Sequence, residues 1–246
     1  MKVKEYYGTR ARIGLIYISS STVMEPEFYA MAPEGVSVNT TRMHLPEVTV
    51  KSLRGIMDGD EVERCTRELA RAPIHSICFG GTSATFIEGI GWDKKVCDRM
   101  NGVSNGIPCT TTSTAMLEGL KAVGAKKVSF VTPYLDEVTE RGRIFLEQNG
   151  FKVVSSDGLN IRDDHGIGAV TTQRTYDFAL EKVKPEADAV FISCTNFRTI
   201  GAIAPLEEKL KVPVVSSIQA SFWHCLKLAG TVPTNEVKGF GRLFQA

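Results

Sequence analysis

Short apolar runs rich in β-branched residues alternate along the chain with longer stretches whose apolar residues recur at helical spacing. The first kind predicts strands at 12–17 (RIGLIY), 74–80 (IHSICFG), 127–132 (KVSFVT), 151–155 (FKVVS), 188–193 (DAVFIS) and 212–216 (VPVVS). The second predicts helices over 60–71, 84–100, 113–124, 136–149, 174–184, 200–210 and 219–229. Several helix ends are readable: Ser113 is placed as an N-cap with Gly124 as the stop, and Gly150 and Gly230 close two others. Residues 231–241 read as a loop before the C-terminal tail. This alternation predicts an α/β fold of βαβ units with a mostly parallel sheet.

The pattern also repeats. Strand 12–17 corresponds to 126–132, Gly81-Thr82-Ser83 to Cys194-Thr195-Asn196, and 107–125 to 212–230. The offsets agree: 194 − 81 = 113, 213 − 108 = 105 and 230 − 124 = 106. Two pseudo-symmetric α/β domains follow, each with a central sheet flanked by helices: a first half of 1–115 with 220–246, and a second of 116–219. Both polar triplets follow a predicted strand, so they are expected to face each other across one cleft where strand ends meet.

Composition narrows what the cleft is for. The 246 residues are 43% hydrophobic and 23% charged with a net charge of +1, which gives no electrostatic reason to expect nucleic acid or an acidic membrane as partner. No run approaches the length of a membrane span, and the start MKVKEYYGTRAR lacks the apolar core of a secretory signal, so a cytoplasmic location is expected. Six scattered cysteines without CxxC pairs and four dispersed histidines argue against a zinc site and a disulfide framework. A small molecule is the expected partner; self-association into a homo-oligomer stays open.

Cys194 stands out among the thiols because it directly follows a buried-looking strand, where neighbouring backbone N–H groups tune a thiol or present its S–H. Cys78 inside a strand, and Cys65, Cys97 and Cys225 inside helices, read as core; Cys109 begins a strand or turn. Gly80-Gly81-Thr82-Ser83 is a glycine-rich turn whose amides and hydroxyls suit an anion or a developing enolate, and equally suit a tight strand-to-helix turn. Neither a dinucleotide fingerprint nor a phosphate loop is present. Ser21 and Tyr134 lie in the loops after the first strand of each half, at the same sheet edge as the triplets. Ser216-Ser217 and Thr111-Thr112 read as strand-end or capping residues, and His44, His75, His165 and His224 as structural.

The segments RIGLIYISSSTVMEPE, FGGTSATFIEG, VTPYLDEV, FISCTNFRTI, PVVSSIQASFW and GFGRLF resemble counterparts in the aspartate/glutamate racemase superfamily. The resembling branch holds maleate cis-trans isomerases, arylmalonate decarboxylases and the ectoine-utilisation racemase-like protein. The resemblance implies two pseudo-symmetric α/β domains, a site between them, a small carboxylic-acid substrate and no cofactor or metal. Racemases and isomerases of the family carry two facing cysteines; here the second matches Cys194 and the first matches Gly81. Two-base racemisation then lacks a partner, whereas loss of CO2 from a malonate needs one proton donor and a stabilised enediolate.

The resemblance further implies Thr82, Ser83 and Tyr134 as hydroxyl donors around the carboxylate, with Thr195 and Asn196 beside the thiol. Ser21 and Asp164 match asparagines that bind substrate carboxylate in maleate isomerases, and an acid at 164 departs from that pattern. The expectation is a cofactor-independent decarboxylase of a substituted malonate, its enediolate protonated by Cys194. The alternatives are a maleate isomerase or racemase of the ectoine-utilisation kind, and a non-catalytic carboxylate-binding protein.

Overall fold

The computed structural model describes residues 7–246; the first six residues, counted with the first half in the sequence, lie outside them. The chain opens with β1 (Ala11–Ile18), α1 (Met24–Met31), β2 (Val36–Met43), α2 (Val50–Gly55), α3 (Glu61–Leu69) and β3 (Ser76–Gly80). It continues through α4 (Thr82–Phe86), α5 (Trp92–Asn101), β4 (Cys109–Thr111) and α6 (Thr112–Ala122). It then runs through β5 (Lys127–Thr132), α7 (Asp136–Gln148), β6 (Lys152–Gly158), α8 (Asp164–Ala169), α9 (Thr172–Lys182), β7 (Ala189–Ile192), α10 (Ile200–Leu210), β8 (Val214–Ser216) and α11 (Ser217–Ala229).

Two parallel sheets result, ordered β2-β1-β3-β4 and β6-β5-β7-β8. The orders are identical under the sequence repeat, so β1 answers to β5 and β3 to β7. The central strands are sealed on both sides: β3 and β7 are buried at every position, as parallel strands with helices on both faces must be. Among the described residues no helix is long and apolar enough to cross a membrane.

The departures from expectation have local causes. The edge strand β2 is VSVNTTRM, too polar to show an apolar run, because most of its positions are only partly buried. The stretch 84–100, expected as one helix, breaks into α4 and α5 at Gly89 and Gly91, whose φ of 82° and 80° no helix continues through. Ser113 is not the cap of α6; Thr111 is, its side chain accepting from the Thr114 N–H, while Ser113 bonds inward to the Thr82 carbonyl at 3.1 Å. Ser216 caps α11 the same way and forms a capping box with Gln219.

The halves are pinned together by a buried acid. Glu27 on α1 accepts from the Thr199 N–H at 2.8 Å and the Thr199 hydroxyl at 3.1 Å, capping α10, which has no cap of its own. Burial pushes its carboxyl up to about 7, against the pull of the Thr199 and Ile200 N–H groups. A carboxyl whose pKa is higher folded than unfolded contributes stability that is full below the unfolded value of 4.5 and lost as pH rises through 7. Unfolding free energy measured by denaturant titration should therefore fall between pH 5 and 7, by up to about 1.4 kcal/mol per unit from this group. Glu27→Gln keeps the acceptor and should remove that part of the slope; an unchanged slope would show that Glu27 is not the group responsible.

Candidate active site

The residues at the carboxyl ends of β1, β3, β5 and β7 converge on one pocket. Ser21 follows β1, Gly81, Thr82 and Ser83 follow β3, Tyr134 follows β5, and Cys194 and Thr195 follow β7; all seven line it. Asn196 stands behind the wall rather than in it. Its side chain accepts from the Thr22 N–H at 2.9 Å and donates to the Asp164 carbonyl at 2.7 Å, while its own N–H points to Cys194 Sγ at 3.3 Å.

Two strand ends meet here and hold each other. The Thr195 hydroxyl donates to the Gly80 carbonyl at 3.2 Å, and the Thr82 hydroxyl donates to Ser217 Oγ at 3.0 Å. The same Ser217 oxygen accepts from the Cys194 N–H at 3.0 Å. Tyr17, fully buried at the end of β1, donates to the Thr195 carbonyl at 2.8 Å and accepts from the N–H groups of Val23 and Met24. These bonds keep Cys194 at φ 101°, a left-handed value that costs a side-chain-bearing residue about 1–3 kcal/mol. The strain sits at the residue whose thiol enters the pocket.

Cys194 is 6% exposed, and burial pushes its thiol up to about 12, the Asp164 carboxylate adding to the rise. The Asn196 N–H, the Tyr134 hydroxyl and the Thr195 N–H pull the other way without reversing it. At neutral pH the group is therefore an S–H, equipped to give a proton. Tyr134 is fixed by the Ser193 hydroxyl at 3.3 Å and by the ring of Phe86, edge-on at 6.3 Å, so its position depends on both halves. Its own hydroxyl is held protonated by burial.

The opposite wall is apolar. Leu45, Val48, Leu53 and Ile56, from the segment joining β2 to α3, face the polar edge together with Ile18 and Ala84. That segment is latched across the cleft by the Val48 N–H to the Arg162 carbonyl at 3.3 Å, and to the first half by the Arg54–Glu88 ion pair. The walls leave a cavity of only about 20 Å3. A larger substituent requires this wall to give.

Two contributors, Ser217 and the apolar wall, are not marked as site residues by the sequence. Ser217 was read as a capping residue; the repeat pairs it with Thr112, whose hydroxyl bonds the Phe79 carbonyl at 3.0 Å. The apolar wall carried a signal in the spacing of Leu45, Val48, Leu53 and Ile56, but no regular element to attach it to. Asp164, singled out in the sequence at a carboxylate-binding position, lines the pocket, its Oδ2 accepting from Ser21 at 2.7 Å.

Gly81, which lines the same pocket as the thiol, has a packing reason to lack a side chain. A Cβ there would lie 2.9 Å from Phe79 Cζ, inside the normal contact limit. Gly81→Ala should cost about 1–3 kcal/mol by overpacking. In a double-mutant cycle with Phe79→Leu, the pair should cost at least about 0.5 kcal/mol less than the sum of the single changes, measured by denaturant unfolding. Strict additivity would mean that the ring does not hold the position.

A family model described as arylmalonate decarboxylase matches residues 13–244. Arylmalonate decarboxylase from Bordetella bronchiseptica is 34% identical over 180 residues, 72% of this chain and 74% of that protein. The crystal structure of a maleate isomerase variant from Pseudomonas putida with maleate superposes with a TM-score of 0.89 at 28% identity, over 95% of this chain and 97% of that one. A liganded arylmalonate decarboxylase variant, with a glycine changed to cysteine and a cysteine to serine, superposes at 0.85 with 29% identity, over 95% and 98% of the two chains.

Proposed function

The chain belongs to the arylmalonate decarboxylase family, and within it we propose a cofactor-independent decarboxylase of a substituted malonate, with Cys194 as the proton donor. The observation that carries this reading is the asymmetry of the pocket: one thiol, a glycine at the equivalent position of the other half, and an apolar wall. A single thiol held as S–H suits protonation of a carbanion. It does not suit a two-base exchange, which needs a second group on the opposite face.

In the proposed reaction the carboxylate that stays is held by the hydroxyls of Ser83 and Tyr134, while Thr82, whose hydroxyl proton is engaged by Ser217, keeps the turn in place. The carboxylate that leaves faces Ile18, Leu45, Val48 and Ile56, where a charged group is poorly solvated and neutral CO2 is not. The bond from the central carbon to the departing carboxyl breaks, and its electron pair passes into an enediolate that the hydroxyl donors stabilise. The Cys194 S–H proton adds to that carbon. The thiolate left behind takes a proton from water, so each turnover consumes one malonate and one proton and yields one CO2 and one monocarboxylate.

Thr195 contributes by holding the Gly80 turn in register with the thiol, and Ser21 by its bond to Asp164. Cis-trans isomerisation by thiolate addition requires the ionised sulfur that burial disfavours at Cys194.

A panel of substituted malonates and maleate in deuterated water separates the readings. The expected result is CO2 release with one deuterium placed on the product carbon, and a loss of about 10²–10⁴-fold in Cys194→Ala. Conversion of maleate to fumarate would favour the isomerase. Solvent exchange without CO2 loss would favour a racemase, and binding without reaction the non-catalytic reading.

A further inference from the structure

Asp164 is the one carboxyl side chain lining the pocket, and no bond made or broken in the proposed reaction involves it. It is 8% exposed, and the Ser20 and Ser21 hydroxyls both donate to Oδ2, at 2.8 and 2.7 Å, as they would to an anion. No hydrogen bond reaches Oδ1 from the described residues, and no Lys, Arg or His lines the pocket. The carboxylate is not a mobile surface acid. The Asn196 side chain anchors its backbone carbonyl at 2.7 Å, and Gly168 makes room for that amide, since a Cβ there would come within 2.9 Å of it.

A buried carboxylate facing ligand space without a cation is costly unless the ligand supplies the compensation. A plain malonate would make matters worse, setting two more carboxylates beside Asp164 among neutral donors only. A ligand with an ammonium group would bring its own counter-charge and satisfy Oδ1. We infer that Asp164 selects the substrate class: the site takes a malonate bearing an ammonium group on its central carbon, with Asp164 Oδ1 as partner of that cation. The inference deepens the decarboxylase reading above and rests on it for the reaction, though not for the binding preference.

Aminomalonate and methylmalonate are matched probes, because ammonium and methyl differ in charge and hardly in size. The experiment measures CO2 release from each, and binding of each by calorimetry, with the wild-type protein and with Asp164→Asn. The wild-type kcat/KM is expected to favour aminomalonate at least tenfold. Asp164→Asn, which keeps an acceptor for the serine hydroxyls, should lose at least tenfold on aminomalonate and gain on methylmalonate. Equal use of the two acids by the wild-type protein, or a uniform loss in the variant, would overturn the inference and leave the decarboxylase reading standing. Tighter binding of aminomalonate, abolished in the variant, with no CO2 from either acid would uphold the role of Asp164 and sink the decarboxylase reading. The wild-type ratio decides by itself if the variant folds poorly.

Discussion

The site depends on the joint between the ends of β3 and β7. Each strand runs out of its own sheet into a polar turn, and the turns are tied by the Thr195 hydroxyl on the Gly80 carbonyl and the Thr82 hydroxyl on Ser217. Because Ser217 Oγ also accepts from the Cys194 N–H, the bond that joins the halves is the one that sets the backbone at the thiol. The left-handed φ of Cys194 is the consequence. Such strain persists only where its surroundings over-determine it, and here the surroundings are the partner strand's turn and the first residue of α11.

The electrostatics of the pocket follow from the same burial. No Lys, Arg or His lines it, so anions must be received by hydroxyls and amides, which orient a carboxylate without matching its charge. Burial alone raises the Cys194 thiol, and Asp164 raises it further. A cation placed beside the sulfur would produce a thiolate, as thiol nucleophiles require. Its place is taken by an acid, which keeps the proton on sulfur and disfavours a second anion at that end of the pocket.

Much of this was legible in the sequence, because it depends on periodicity and repetition. The buried strands β1, β3, β5 and β7 are short, mostly apolar runs, and the pairing of Gly81 with Cys194 came from offsets within a repeat that the identical sheet orders share. The edge strand β2 and the short helices α1, α2 and α8 were not legible, because half-exposed or brief elements carry no full period. Long-range hydrogen bonding was hidden for another reason. Nothing local marks Tyr17 as a bridge to a carbonyl 178 residues away, or separates Ser217, whose hydroxyl serves the cysteine, from Ser216, whose hydroxyl serves the helix.

The halves share a fold but not a chemistry, and the difference is written into packing as well as into the two opposed residues. By the offset that pairs Gly81 with Cys194, Phe79 corresponds to Ile192, since 79 + 113 = 192. Both side chains are fully buried at the end of a central strand. The Phe79 ring reaches forward to within 2.9 Å of where a Cβ on residue 81 would be, and the smaller Ile192 is followed by a residue that carries a side chain. A second thiol at residue 81 would therefore require the Phe79 ring to shift, because the core beneath that residue is filled for glycine. The asymmetry that leaves one thiol in the cleft is supported from below by an aromatic ring, so the core and the pocket constrain one another.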